Sequence, residues 1–84
     1  MTRHTVVWHK DAVDELAEIW INAPNRAAVA TAANAMDSNL ADEPSTKGDE
    51  LSEGLRVLIA RPLQVLFAVN VDDRVAEILQ VKLI

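Results

Sequence analysis

Between Leu55 and Lys82 the chain has little freedom in what it can fold into. Three short apolar runs follow one another, Leu55 to Ala60, Leu63 to Val71 and Arg74 to Leu83, split by Arg61-Pro62 and by Asp72-Asp73. Runs of this length, rich in Val, Leu and Ile and bounded by turn residues, read as strands. Connections this tight can only reverse the chain, so the pattern is an antiparallel meander. In the middle run Leu63, Val65, Phe67 and Val69 share one face, while Gln64, Leu66, Ala68 and Asn70 share the other. Pro62 lacks an N–H and suits the turn.

The N-terminal half supplies one more strand and two helices. Thr2 to Trp8 is rich in β-branched residues and reads as a strand, with Val6 and Trp8 on one face and Thr5 and Val7 on the other. Asp11 is a suitable N-cap for a helix that begins at Ala12, with Asp14 and Glu15 in the first turn, where the helix dipole favours anions. Val13, Leu16, Ala17 and Trp20 fall at helical spacing and are expected to face the core, leaving Asp14, Glu15 and Glu18 outside. Pro24 stops this helix. Asn25 caps a second one running to about Leu40, rich in alanine, the strongest helix former. Its expected inner stripe is Val29, Ala33, Met36 and Leu40. The tight Ala23-Pro24-Asn25 link makes the pair an αα-hairpin. Ala41 to Gly54 is polar and reads as a loop of about a dozen residues, a length that is uncommon unless the loop is functional or mobile.

The expected architecture is therefore α+β, two-layered, in the order β-α-α-β-β-β. The helical hairpin packs on one face of a small, mostly antiparallel sheet. Two helices cover only one face of such a sheet. The other face is left partly exposed, and Gln64, Asn70, Gln80 and Lys82 fit it.

Composition narrows the function classes. With 84 residues the chain is one domain, spanning 1–84. A domain this small buries only about 60–65% of its unfolded surface, so a partner would add to its core. No apolar run approaches the roughly 20 residues that span a bilayer. Met1 to Trp8 is too short for a signal peptide, and a cytoplasmic location is expected. There is no cysteine, so no disulfide framework and no thiolate metal site. His4 and His9 alone make a weak metal case, and no cofactor is expected. Gly48 and Gly54 flank a polar loop and form no phosphate-binding motif. The net charge is −5, with eight Lys and Arg residues scattered along the chain. That balance repels nucleic acid unless a local basic patch overrides it, and it suits a basic partner.

Three sets of residues carry a resemblance. They are Val7-Trp8 followed by Ala12 and Leu16; Leu40 followed by Pro44 and Gly48; and Gly54-Leu55-Arg56-Val57-Leu58 with Pro62-Leu63-Gln64-Val65-Leu66-Phe67-Ala68-Val69. With the order of elements, they make the chain resemble the RelE/ParE-type toxins of bacterial type II toxin–antitoxin systems (the plasmid stabilisation protein family) over nearly its whole length. The resemblance implies a growth-inhibiting toxin bound by a cognate antitoxin. In the RNA-cleaving branch, basic residues on the exposed sheet face act on mRNA in the ribosome, stabilising charge that develops on the phosphate. A tyrosine or histidine near the C-terminus assists proton transfer. Arg56 falls at the strand-start arginine of that family. Arg56, Arg61 and Lys82 are the candidate catalytic residues, with Lys47 from the loop beside them. The chain departs from the pattern in having no tyrosine, Gln64 where many members are basic, and no basic tail after the last strand. The ParE branch poisons DNA gyrase and needs no catalytic residues. A third possibility is a catalytically degenerate toxin fold kept as an interaction module. Homodimer formation would suit so small a core, and the sequence leaves it open.

Each candidate also has a plainer reading. Arg56 could pair with Asp49 or Glu53. Arg61 could be an exposed turn residue, and Lys82 could pair with the C-terminal carboxylate. His4 and His9 read as surface histidines, and Trp8 and Trp20 as core. Asp11, Asp14, Glu15 and Glu18 read as a solvated helix face rather than a metal site. Asp72-Asp73 reads as turn chemistry.

Overall fold

Residues 3–84 are described by the computed structural model. In chain order they form β1 (Thr5–Trp8), α1 (Lys10–Asn22), α2 (Arg26–Ala41), a short 3-10 turn (Pro44–Thr46), β2 (Asp49–Ser52), β3 (Leu55–Ala60), β4 (Leu63–Asn70) and β5 (Val75–Leu83). The five strands make one sheet in the order β1-β5-β4-β3-β2. β1 pairs parallel to β5, and every other pair is antiparallel. The hairpin α1–α2 lies on one face. This is the expected α+β layering with one strand more than the sequence indicated.

The extra strand lies in the segment read as a loop. Asp49 pairs with Val57 and Ser52 with Leu55 across a register irregularity. Glu53 and Gly54 are the turn between Ser52 and Leu55, and Gly54 has φ +77. A tight turn needs positive φ there, which glycine supplies without a Cβ penalty. β2 was hidden because all four of its residues are exposed, leaving no apolar alternation to detect. The first strand, expected from Thr2, begins at Thr5; Thr2 lies outside the described residues.

The strand pattern follows from period-2 alternation. Leu63, Val65 and Phe67 of β4 are fully buried, as are Ala76 and Ile78 of β5. β5 then reaches Val81, also buried, three residues after Ile78. A register shift opposite Leu66 and Phe67 absorbs the odd residue. Such a bulge adds one residue to one strand and resets which side chains face inward.

α2 meets the sheet with Val29, Ala32, Met36 and Leu40, all buried. Ala33, expected in that stripe, packs only partly against the core. The α1 stripe needs a larger correction. Ala12 is its buried residue, and Leu16 and Ile19 pack against the core. Val13 is 48% exposed and Trp20 43% exposed. Apolar residues cover more than half of this helix, so several stripes satisfy the same spacing. Packing on β5 selects Ala12, Leu16 and Ile19, which turns Val13, Ala17 and Trp20 toward α2. The N-cap of α1 is His9 rather than Asp11: its Nδ1 accepts from the Asp11 N–H at 3.3 Å. Asn25 caps α2 through Oδ1, which accepts from the Ala28 N–H at 3.0 Å.

Polar side chains tie the layers together. Trp8 Nε1 donates to Asp37 Oδ1 at 2.8 Å, joining β1 to α2. Arg26 donates through Nε and Nη2 to the carbonyls of Trp20 and Ile21 at the end of α1, at 3.2 Å each. Its guanidinium lies 4.7 Å from the centre of the Trp20 ring. Trp20 is thus a half-open platform at the hairpin turn, with its ring under an arginine, rather than a core residue.

Candidate functional site

The sheet has two unlike faces, and the residues with chemical potential divide between them. Residues facing each other across an antiparallel pair point to the same side. Arg56 is opposite Phe67, which is buried under the helices, so Arg56 belongs to the helix-covered side. Lys82 is opposite Gln64, and Gln64 is opposite Ile59, which places all three on the uncovered side.

Arg56 is half-buried, and two of its guanidinium N–H groups are engaged. Nε donates to the carbonyl oxygen of Lys47 at 2.7 Å, and Nη2 donates to that of Gly48 at 3.0 Å. The guanidinium fork clamps the segment that leads into β2. Its partners are main-chain carbonyls, whereas the sequence pointed to Asp49 or Glu53. Gly48, with φ +64, lets this segment pass close to β3: a Cβ there would collide with the carbonyl oxygen of Val57.

Arg61 stands exposed in the turn between β3 and β4. It borders a shallow apolar hollow of about 440 Å³ with Pro24, Pro62 and Ile84. Lys82 is exposed on the open face beside Gln80 and Gln64, at the edge of a hollow of about 340 Å³ that Leu51, Val57 and Leu66 also line. Lys47 presents its carbonyl to Arg56. The three candidate catalytic residues therefore occupy three separate settings. Arg56 and Arg61 are five positions apart at opposite ends of β3, or roughly 16 Å of extended chain. Arg61 and Lys82 lie toward the same end of the sheet, one in a turn and the other on the face.

The histidines take no part in this region. His9 caps α1 and lies 3.9 Å from the Asp11 carboxylate. His4 is half-buried, with both ring nitrogens shielded from solvent and without a hydrogen-bond partner among the described residues, in contrast to the expected surface position. Asp14 and Glu18 of the acidic α1 cluster are solvated, as expected, whereas Glu15 reaches the sheet: Oε1 accepts from the Val81 N–H at 3.0 Å. That contact satisfies β5 where β1 no longer pairs with it. Asp73 completes the β4–β5 turn, its N–H donating to Asn70 Oδ1 at 3.1 Å. No group of three or more metal-ligating side chains occurs among the described residues. No helix among them is long and apolar enough to cross a membrane.

The open face is mainly aliphatic. Leu55, Val57 and Ile59 of β3, Leu66 and Ala68 of β4, Val75 and Leu79 of β5 and Val7 of β1 point outward, with Lys82 as its cation and Glu77 as an anion. Sequence reasoning placed Gln64, Asn70, Gln80 and Lys82 on this face. It missed Leu51, 61% exposed on the unseen strand β2, and it missed Glu15. The Glu53-Gly54 pair ahead of an apolar run is the signal that could have disclosed a hairpin there.

With this geometry in place, comparison with solved structures gives the class. A chain of the toxin–antitoxin complex RelBE2 from Mycobacterium tuberculosis aligns over 100% of this chain and 94% of its own, with TM-score 0.77 and 17% identity. A chain of the chromosomal ParDE system of P. aeruginosa aligns over 98% and 97%, with TM-score 0.71 and 17% identity. A chain of the archaeal RelE–RelB complex from Pyrococcus horikoshii aligns over 99% and 96%, with TM-score 0.66 and 23% identity. The protein has the RelE/ParE-type toxin fold. No family model matches the sequence, and no curated protein matches it.

Proposed function

We propose that this chain is the toxin component of a type II toxin–antitoxin pair, held inactive by a cognate antitoxin, and that it acts by binding its target rather than by cutting RNA. The full-length match to chains of the RelBE2, ParDE and RelE–RelB complexes supports the toxin role. One observation carries the choice of mode. The guanidinium that the resemblance would set against a phosphate is on the helix side, held by the carbonyls of Lys47 and Gly48. Phosphate chemistry needs several donors converging on one charge. Arg61 and Lys82 stand apart from Arg56, and the polar neighbours of Lys82 on its face are the uncharged Gln64 and Gln80. A gyrase-directed, non-catalytic toxin needs none of these residues to converge.

Ribosome-dependent mRNA cleavage is the second reading. Lys82, Gln64 and Gln80 share the open face, and Arg61 lies toward their end of the sheet. Tightly induced expression of this chain alone in a bacterial host separates the readings. The expected result is growth arrest, relieved by co-expressing the small protein encoded beside it, with intact transcripts and blocked supercoiling. Transcripts cut in the wild type and uncut in Arg61→Ala and Lys82→Ala variants would establish the nuclease. Unimpaired growth with folded protein would leave the fold as an inactive interaction module.

A further inference from the structure

We propose that two copies of this chain pair through the open face of the sheet, stacked face to face about a two-fold axis that crosses β5 near Leu79 and Gln80. The inference is independent of the toxin reading, because it uses only what this face presents.

The face carries an aliphatic cluster, Leu55, Val57, Ile59 and Leu66 with Leu51 beside them, bordered by Gln64, Gln80 and Lys82. Leu66 and Val57 lie at its middle and Ile59 toward one end, where Ile59 is 51% exposed. Monomeric domains seldom leave a whole sheet face of this kind in water. Nucleic acid is a poor occupant: Lys82 stands against Glu77 and Asp49 on the same side, so no net positive charge faces a phosphate backbone.

The size of the face fits a second copy. Four inter-strand gaps of about 4.8 Å, and strands of four to nine residues rising about 3.3 Å each, give a face of roughly 19 Å by 20 Å on average. That is about 400 Å² of flat footprint on each copy, or about 800 Å² for the pair, the size of a weak, transient interface. Pairing should therefore be reversible and should appear in the micromolar range.

The charges on β5 fix the register. Glu77 and Lys82 point the same way, with Leu79 and Gln80 midway between them. A two-fold axis across the strands at that midpoint lays Lys82 of each copy over Glu77 of the other. Both pairs form at once, as an isologous interface requires. Leu66, opposite Gln80, then packs near the axis. Asp49 is the one carboxylate this arrangement leaves facing its own counterpart. It sits on β2 at the sheet edge, three strands from the axis centre, where the twist of each sheet turns the two edges apart.

Sedimentation of the whole chain over about three decades of concentration tests the inference, since self-association makes the apparent mass concentration-dependent. The expected result is a monomer at the lowest concentrations and a dimer at the highest. Lys82→Glu and Glu77→Lys should each weaken pairing at least tenfold by setting like charges together, and the two combined should restore it. Ile59→Lys, at an exposed position outside the core, should leave a folded monomer by circular dichroism. A monomer throughout the range overturns the inference. So does a dimer that survives Ile59→Lys and both single charge reversals, which would move the contact to another surface such as the apolar groove between α1 and α2.

Discussion

The two sides of β4 differ in burial residue by residue. Leu63, Val65 and Phe67 are wholly removed from water, while Gln64, Leu66 and Ala68 between them are only half-covered. One strand thus serves two purposes, residue by residue. Under the helices, packing fixes each side chain in place. On the open side the aliphatic side chains are covered only in part, with Ile59 the most exposed, so packing constrains them less. The bulge in β5 keeps this division along its whole length: it brings Val81 back inside after Ile78. Without it, Val81 would join the open face and Lys82 would point into the core.

The sharpest way to break this comparison is to truncate neighbours on opposite faces. Phe67→Ala should cost about 3–5 kcal/mol, because a fully buried ring leaves a cavity that the helices cannot close. For a domain of this size that is most of its stability, and the variant should be largely unfolded at room temperature. Leu66→Ala, one residue away, should cost about 1 kcal/mol or less in dilute solution, where only partial burial is lost. Urea unfolding at low protein concentration measures both. Equal losses would mean that the open face is packed within the monomer.

The edge by β2 gives the next largest effect. Gly48→Ala combines a positive φ with a Cβ directed into the Val57 carbonyl, and should cost about 1–3 kcal/mol. Gly54→Ala is the control: its φ is also positive, but the nearest atom to a Cβ there is the Val69 carbonyl oxygen at 4.0 Å. That substitution should cost about 1 kcal/mol, the backbone penalty alone. Thermal melts of the two variants separate collision from conformation.

Arg56 sharpens the comparison from the functional side. If the guanidinium serves the Lys47 and Gly48 carbonyls, Arg56→Ala should lower stability by about 1–2 kcal/mol through the loss of two charge-assisted hydrogen bonds. Arg56→Lys should recover only part of it, since an ammonium cannot reproduce the fork. Any loss of growth arrest in these variants should then follow their loss of folded protein. An Arg56→Ala protein that is fully stable yet inactive would instead assign Arg56 to the target.

Much of this was legible in the sequence, for identifiable reasons. β3, β4 and β5 were visible because their apolar runs are long and the Arg61-Pro62 and Asp72-Asp73 turns are short. α2 was visible because Asn25 and its alanines leave one reading. α1 was found, but its inner face was misjudged: seven of its thirteen residues are apolar and fit several stripes, and only contact with β5 selects among them. β2 escaped because a fully exposed edge strand carries no hydrophobic signal. The candidate site was the least legible part. Sequence spacing places Arg56 at the start of a strand but does not say which face it takes. That follows from the register with Phe67, a contact eleven residues away.

The smallest predicted effect lies at the seam between the two faces, where β1 ends and β5 continues with one edge free. Glu15 closes that gap by accepting from the Val81 N–H at 3.0 Å, in a part-buried position. Glu15→Gln keeps a carbonyl oxygen in reach and should change stability by less than about 0.5 kcal/mol. Glu15→Ala removes the acceptor and leaves a partly shielded N–H to find water, which should cost about 1 kcal/mol. The more direct readout is amide exchange at Val81. Its N–H should lose protection in Glu15→Ala and keep it in Glu15→Gln, while the Val65 amide in the strand interior is unchanged in both. Loss of protection in Glu15→Gln as well would mean that the carboxylate charge, rather than an acceptor at that point, holds α1 to the edge of β5.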